Sequence, residues 1–186
     1  AELDGSIAVA AYERHFGDLV FMKLATSGAL ELLEFVDGFP QPTEIAGRAD
    51  GPRGGALEPG VDSGRFPSLA IVGGEPQIAY QRADDGMLMY AWRNQGVWTT
   101  VTVDSSGGTG YEPDLVIDAQ GRPHIAYWTR LSGGQTALKY AVADRPSPDH
   151  PNHFHLLTVS AADSCIDGCA DAQACVRDET GERCLP

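Results

Sequence analysis

Three groups of residues in this 186-residue chain have types and spacings that suit chemistry. The densest is DHPNHFHLL at 149–157, which holds His150, His153 and His155. A strand over 153–155 would place His153 and His155 on one face, because strand side chains alternate with period two. His150 could fold in from the preceding turn, with Asp149 adding an oxygen. Three imidazoles suit zinc, copper or nickel. Pro148 and Pro151 also mark a lengthened turn, in which the same histidines form a solvated surface cluster. His15 and His124 are isolated and read as strand residues.

The second group is Cys165, Cys169, Cys175 and Cys184, spaced C-x3-C-x5-C-x8-C in the last part of the chain. Four thiolates could hold zinc, but structural zinc sites favour paired C-x2-4-C knuckles and only one close pair exists. An even cysteine count in a short coreless tail favours two disulfides, and hence an oxidising compartment: secreted, periplasmic or cell-surface. Interleaved bridges, Cys165–Cys175 with Cys169–Cys184, would compact the segment best. The third group is aromatic and acidic. Trp92 and Trp128 lie near the ends of apolar runs, where a ring could stack on a sugar or a partner side chain. Asp84 and Asp85 share an acidic turn that suits Ca²⁺. Trp98 opens an apolar run and reads as core. No Ser-His-Asp signature, nucleotide loop or C-x-x-C redox pair is present, so no catalytic residue is assigned.

The elements that must position these residues are strands. Glycine (22) and proline (12) are frequent, and no long amphipathic helical pattern appears. The middle of the chain divides into PSLAIV, PQIAYQR, MLMYAWR and VWTTVTV, separated by GGE, ADDG and NQG, a succession of hairpins. The pattern then recurs from Gly110: Pro67 matches Pro113, Ile78 matches Ile125, Tyr80 matches Tyr127, Tyr90 matches Tyr140 and Trp98 matches Phe154. A partial first unit aligns Tyr12 with Tyr80, Phe21 with Tyr90 and Val36 with Val103. Four antiparallel strands at a period of about 40–50 residues are the signature of a β-propeller blade. Runs such as IAY, apolar on both faces, fit a sheet covered on both sides. A β-sandwich, with cleaner apolar–polar alternation, is the other architecture to weigh.

The expected fold is therefore all-β, with four-stranded antiparallel blades at 4–38, 64–104 and 110–160, the first incomplete. Residues 39–66 are an irregular loop insertion, either tolerated or a binding loop. Residues 161–186 form the Cys-rich tail. The pattern GxxPSLAI…G.PxIAY…L.YA…G.W…TVD resembles the secreted bacterial β-propeller repeat proteins related to the sialidase/BNR-repeat superfamily, over roughly 5–160. That architecture hosts hydrolases, lectins and scaffolds alike. A sialidase reading would draw on Arg82, Arg130, Tyr80, Tyr127 and Asp84. However, the S-x-D-x-G-x-x-W box is missing, and tyrosines at matching positions read as packing residues.

Under three blades fall short of the four to eight that close a ring. An open arc would expose apolar end faces. The expectation is a non-enzymatic binding or scaffold subunit that completes its ring with another polypeptide or as a homo-oligomer. A hydrolase fragment and a glycan-binding, lectin-like module are the alternatives. Cofactors are expected to be none, with Ca²⁺ or Zn²⁺ the candidates if any. The net charge of −13 opposes nucleic acid and anionic membranes. No apolar run approaches the ~20 residues of a membrane span. Starting at Ala1 without a signal pattern, the sequence reads as a mature, processed or engineered piece.

Overall fold

A computed structural model describes residues 5–38, 60–131 and 135–161, together with the backbone of 174–178 and 181–185. Among these described residues the fold is all-β, with three antiparallel sheets and a separate hairpin. Sheet 1 holds β1 (Ile7–Glu13), β2 (Asp18–Leu24) and β3 (Leu30–Asp37) in that order. Sheet 2 holds β4 (Ser63–Val72), β5 (Glu75–Arg82), β6 (Met87–Asn94) and β7 (Val97–Asp104), so all four apolar runs become neighbouring strands. Sheet 3 repeats that order with β8 (Tyr111–Ile117), β9 (Pro123–Arg130), β10 (Thr136–Ala143) and β11 (Phe154–Ala161). The hairpin joins β12 (Ala174–Asp178) to β13 (Gly181–Leu185).

Turn chemistry sets the hairpins. Gly73 and Gly74 link β4 to β5 with φ of +57° and +92°, and a two-residue type I′ turn needs positive φ at both positions. Gln95 and Gly96 do the same between β6 and β7, at +49° and +82°.

The sheets stack face to face. Leu19 and Phe21 of sheet 1 pack against Ile78, Tyr80, Met89 and Ala91 of sheet 2. The other face of sheet 2, with Ala79, Leu88, Tyr90, Val101 and Val103, packs on Leu115, Ile125, Tyr127, Ala141 and Phe154 of sheet 3. Ile78, Ala79 and Tyr80 are all fully buried although their side chains alternate. This is why the run is apolar on both faces: neither face of the middle sheet meets water. Each large apolar side chain buried this way contributes about 1.5–3 kcal/mol.

Three expectations change. The registers pair Tyr12 with Leu19, Gln81 with Leu88 and Trp128 with Leu138. Tyr12 therefore corresponds to Gln81, and Ala11 takes the place of Tyr80. The sequence alignment slipped by one because the two AY pairs look alike. Strand β4 begins at Ser63, so the insertion ends sooner than residue 66, which bulges at Ser63/Arg65 and Arg65/Ser68 had disguised. His153 closes a 3₁₀ turn, Pro151–His153, rather than sharing a strand with His155.

Candidate functional site

Each sheet has a bulge at the same place, between Leu19 and Val20, Leu88 and Met89, and Leu138 and Lys139. A bulge re-aims the strand beside it. Opposite the three leucines stand Asp37, Asp104 and Ser160. The two aspartates point across to the following sheet. The Tyr80 hydroxyl donates to Asp37 Oδ2 at 2.8 Å, and Ser63 Oγ donates to the same oxygen at 2.7 Å. The Tyr127 hydroxyl donates to Asp104 Oδ2 at 2.7 Å, and Lys139 Nζ donates to that oxygen too. Ser106 closes the second site, its backbone N–H donating to Asp104 Oδ1 at 3.0 Å and its hydroxyl to the same atom.

Electrostatics follow burial. Desolvation pushes the Tyr80 phenol far above its usual range, and the Asp37 carboxylate adds to this. Tyr127 is raised likewise, by burial first and then by Asp104. Burial alone would raise Asp104, but the hydrogen bonds from Lys139, Ser106 and Tyr127 outweigh it and hold the carboxyl below its ordinary value. Phenols shifted upward and committed to carboxylates are poor nucleophiles at neutral pH. Both pairs act as fastenings between sheets.

Two glycines complete each junction. A Cβ on Gly64 would lie 2.6 Å from Leu19 Cα, and one on Gly110 would lie 2.9 Å from Leu88 Cα. The Ser63 N–H donates to Gly17 O at 2.9 Å and the Thr109 N–H to Gly86 O at 2.7 Å. One further side chain reaches over at each junction: Tyr12 OH to Asp62 Oδ1 at 2.9 Å, and Gln81 Nε2 to Thr109 O at 2.6 Å. Trp128, at the corresponding place in sheet 3, is 41% exposed. Around it the face of sheet 3 turned away from sheet 2 shows Val116 (60%), Leu157 (57%) and Val159 (50%) to solvent. The corresponding side chains of sheet 2, Ala70, Val101 and Val103, are buried or packed against the core. On that outer face the Tyr140 hydroxyl meets His124 Nδ1, as Tyr90 meets Gln77 on sheet 2.

Among the other sequence candidates, the His150 and His153 rings lie 5.9 Å apart. Trp92 packs between sheets, its Nε1–H donating to Pro148 O at 3.0 Å. Trp98 packs edge-on to Phe21 and donates to Glu34 Oε2 at 3.0 Å. His150 accepts from the Asn152 N–H at 3.2 Å, His153 Nδ1 lies 3.3 Å from Asp149 Oδ1, and His155 stands opposite Val142. Among the described residues no group of three His, Cys, Asp or Glu side chains is placed to hold a metal ion. Asp84 accepts from the Asp62 N–H and Asp85 from Arg82. Arg130 lies over the Tyr111 ring at 4.5 Å. The side chains of Cys165, Cys169, Cys175 and Cys184 lie outside the described residues. The backbone register of the β12–β13 hairpin sets Cys175 opposite Cys184.

A cavity of about 360 Å³ opens beside Lys139, lined also by Ser106, Thr129, Leu131 and Thr158. Sequence reasoning missed Asp37, Asp104, Lys139 and the two glycines. The signal was the acidic residue closing both LEFVD and VTVD, a pattern that looks like an ordinary turn start. Among the described residues no helix is long and apolar enough to cross a membrane. The chain matches no protein-family model and no curated protein.

Proposed function

We propose that the three sheets are successive blades of a partial β-propeller and that the chain is a non-enzymatic binding or scaffold subunit, which docks a further blade on its exposed end. The observation that carries this is the outer face of sheet 3. It has the residue types that sheet 2 buries against sheet 3, and it leaves Trp128, Val116, Leu157 and Val159 in solvent. A contiguous apolar face of this kind marks an interaction surface. Trp128 is the natural anchor, because large aromatic side chains near the centre of a patch dominate binding energy. Its ring is then a contact for protein and not for sugar.

The hydrolase alternative is weakened by the buried, upward-shifted phenols of Tyr80 and Tyr127. We further propose that the four cysteines form two disulfides and that the protein works in an oxidising, extracytoplasmic compartment. The experiment is native mass spectrometry of the intact chain beside a Trp128→Asp, Leu157→Asp variant. An assembly heavier than one chain that the variant abolishes is the expected result. A wild-type chain that stays single, in the presence of everything with which it is co-purified, would overturn the reading.

A further inference from the structure

The Asp–Tyr fastening is present at both internal junctions and missing, in complementary halves, from the two outer faces. On sheet 3 the position of Asp37 and Asp104 is Ser160, opposite Leu138. On sheet 1 the position of Tyr80 and Tyr127 is Ala11, opposite Val20. A foreign sheet of the same type, bringing an aspartate onto Ala11, would bury a carboxylate with no phenol to donate to it, a costly arrangement. The chain's own sheet 3 brings a small, neutral serine there instead.

The remaining rows agree. On the outer face of sheet 1, Val9, Met22 and Leu33 stand side by side, as do Ile7, Leu24 and Leu30. Ile7, Leu30 and Leu33 are 45%, 57% and 47% exposed. These rows carry no charge, and neither does Trp128 with Leu138 on sheet 3, whereas Asp114 stands opposite Ala126 in the row that continues to Tyr140 and Leu157. Two copies of a chain with net charge −13 repel each other, so their contact has to rest on the uncharged rows of the two faces.

We infer that the outer face of sheet 3 docks on the outer face of sheet 1 of a second copy of this chain, with Ser160 meeting Ala11, so that two chains close one ring. The inference rests on the docking reading above and adds the occupant. Each copy offers both faces, so a two-fold axis makes two identical head-to-tail junctions and leaves neither face open. Three sheets from each chain give six around the ring, 2 × 3, within the four to eight typical of propellers.

The test rebuilds the missing fastening. Ultracentrifugation of the full chain reads the dimer dissociation constant for wild type, Ser160→Asp, Ala11→Tyr and the double variant. Circular dichroism confirms that each remains folded, since both positions lie on outer faces. Ser160→Asp should raise the constant on the order of 100-fold through an unpaired buried carboxylate. Ala11→Tyr should raise it roughly tenfold through overpacking. The double variant should recover most of both losses, because the phenol now donates to the carboxylate. Losses that simply add would overturn the contact between Ser160 and Ala11. An assembly with a different polypeptide would overturn the second copy while supporting a docked blade, and a single chain unaffected by Trp128→Asp would overturn both.

Discussion

The two junctions between sheets share a plan and place their ions differently. Between sheets 1 and 2 the half-buried carboxylate of Asp37 takes neutral hydroxyl donors from Ser63 and Tyr80. The ion pair is at the rim, where Arg93 bridges Glu34 at 2.9 Å and Glu75 at 3.2 Å. Between sheets 2 and 3 the order is reversed. Asp104 is paired inside with Lys139, and the rim contact is the neutral bond from Trp92 to Pro148. The position of Lys139 is held by Met89 in sheet 2, each standing opposite the fastening tyrosine. Both carboxylates take hydroxyl donors, and a directly bonded cation is present only at Asp104. Where a cation is added, the junction becomes dependent on that cation's partner.

The largest effect should come from breaking that dependence. Asp104→Ala leaves the Lys139 ammonium and the Tyr127 hydroxyl unpartnered in a mostly buried place, and should cost about 3–5 kcal/mol in urea unfolding. Asp37→Ala leaves only hydroxyls behind and should cost about 1–3 kcal/mol. Equal losses would erase the distinction between the junctions. Lys139→Met sharpens it through pH. The folded-state pKa of Asp104 lies below the 3.8 of a free aspartate, so its contribution is complete above that value and is lost as pH falls through the folded pKa. Removing the ammonium takes away part of what holds the pKa down. The variant should therefore lag wild type at neutral pH and converge with it in acid. A deficit that grows on acidification would contradict the pairing.

Next in size are the glycines that let each junction close. At Gly64 a methyl would be driven into Leu19 at a φ of +105°, and at Gly110 into Leu88 at +74°. Both contacts are with backbone, which cannot move aside as a flexible side-chain end can. Gly64→Ala should cost about 3 kcal/mol or more and Gly110→Ala about 2–3 kcal/mol. Gly73→Ala, at φ +57° with open space around it, should cost only about 1 kcal/mol. Thermal unfolding of the three variants ranks them. If Gly73→Ala were as damaging as the other two, the close approach between sheets would not be what those glycines provide.

The strands of sheet 2 could be read from the sequence because local signals set them: apolar runs of strand length, and turns that need positive φ at Gly74 and Gly96. That Ile78, Ala79 and Tyr80 are buried on both faces was legible too, since no polar residue interrupts the run. The junction residues were not legible, because their role depends on a partner 43 or 23 residues away: Asp37 reaches Tyr80 and Asp104 reaches Tyr127 across a gap between sheets. A strand-terminal aspartate has the same local appearance whether it caps a turn or crosses to another sheet. The one-residue slip at Tyr12 has the same origin. Only the pairing of Tyr12 with Leu19 fixes which side of β1 faces sheet 2. The histidines are divided between two elements for a local reason: the 3₁₀ turn at 151–153 holds His153 beside His150, whereas His155 lies in β11.

The smallest expected effect tests the outer face against the inner ones. Trp128 and Gln81 hold corresponding places, yet Gln81 is 3% exposed and bonded to Thr109, whereas Trp128 is 41% exposed. Gln81→Ala removes a buried amide from its carbonyl and should cost about 1–2 kcal/mol of folding stability. Trp128→Gln, which gives sheet 3 the residue found in sheet 2, should leave the stability of the separated chain within about 0.5 kcal/mol of wild type. Chemical denaturation under conditions where the chains are separate measures this, and sedimentation of the same variant measures association. A weakened assembly with unchanged folding places the indole in a contact between chains. A folding loss as large as that of Gln81→Ala would instead make the indole part of the chain's own packing, and the outer face would then be an ordinary surface.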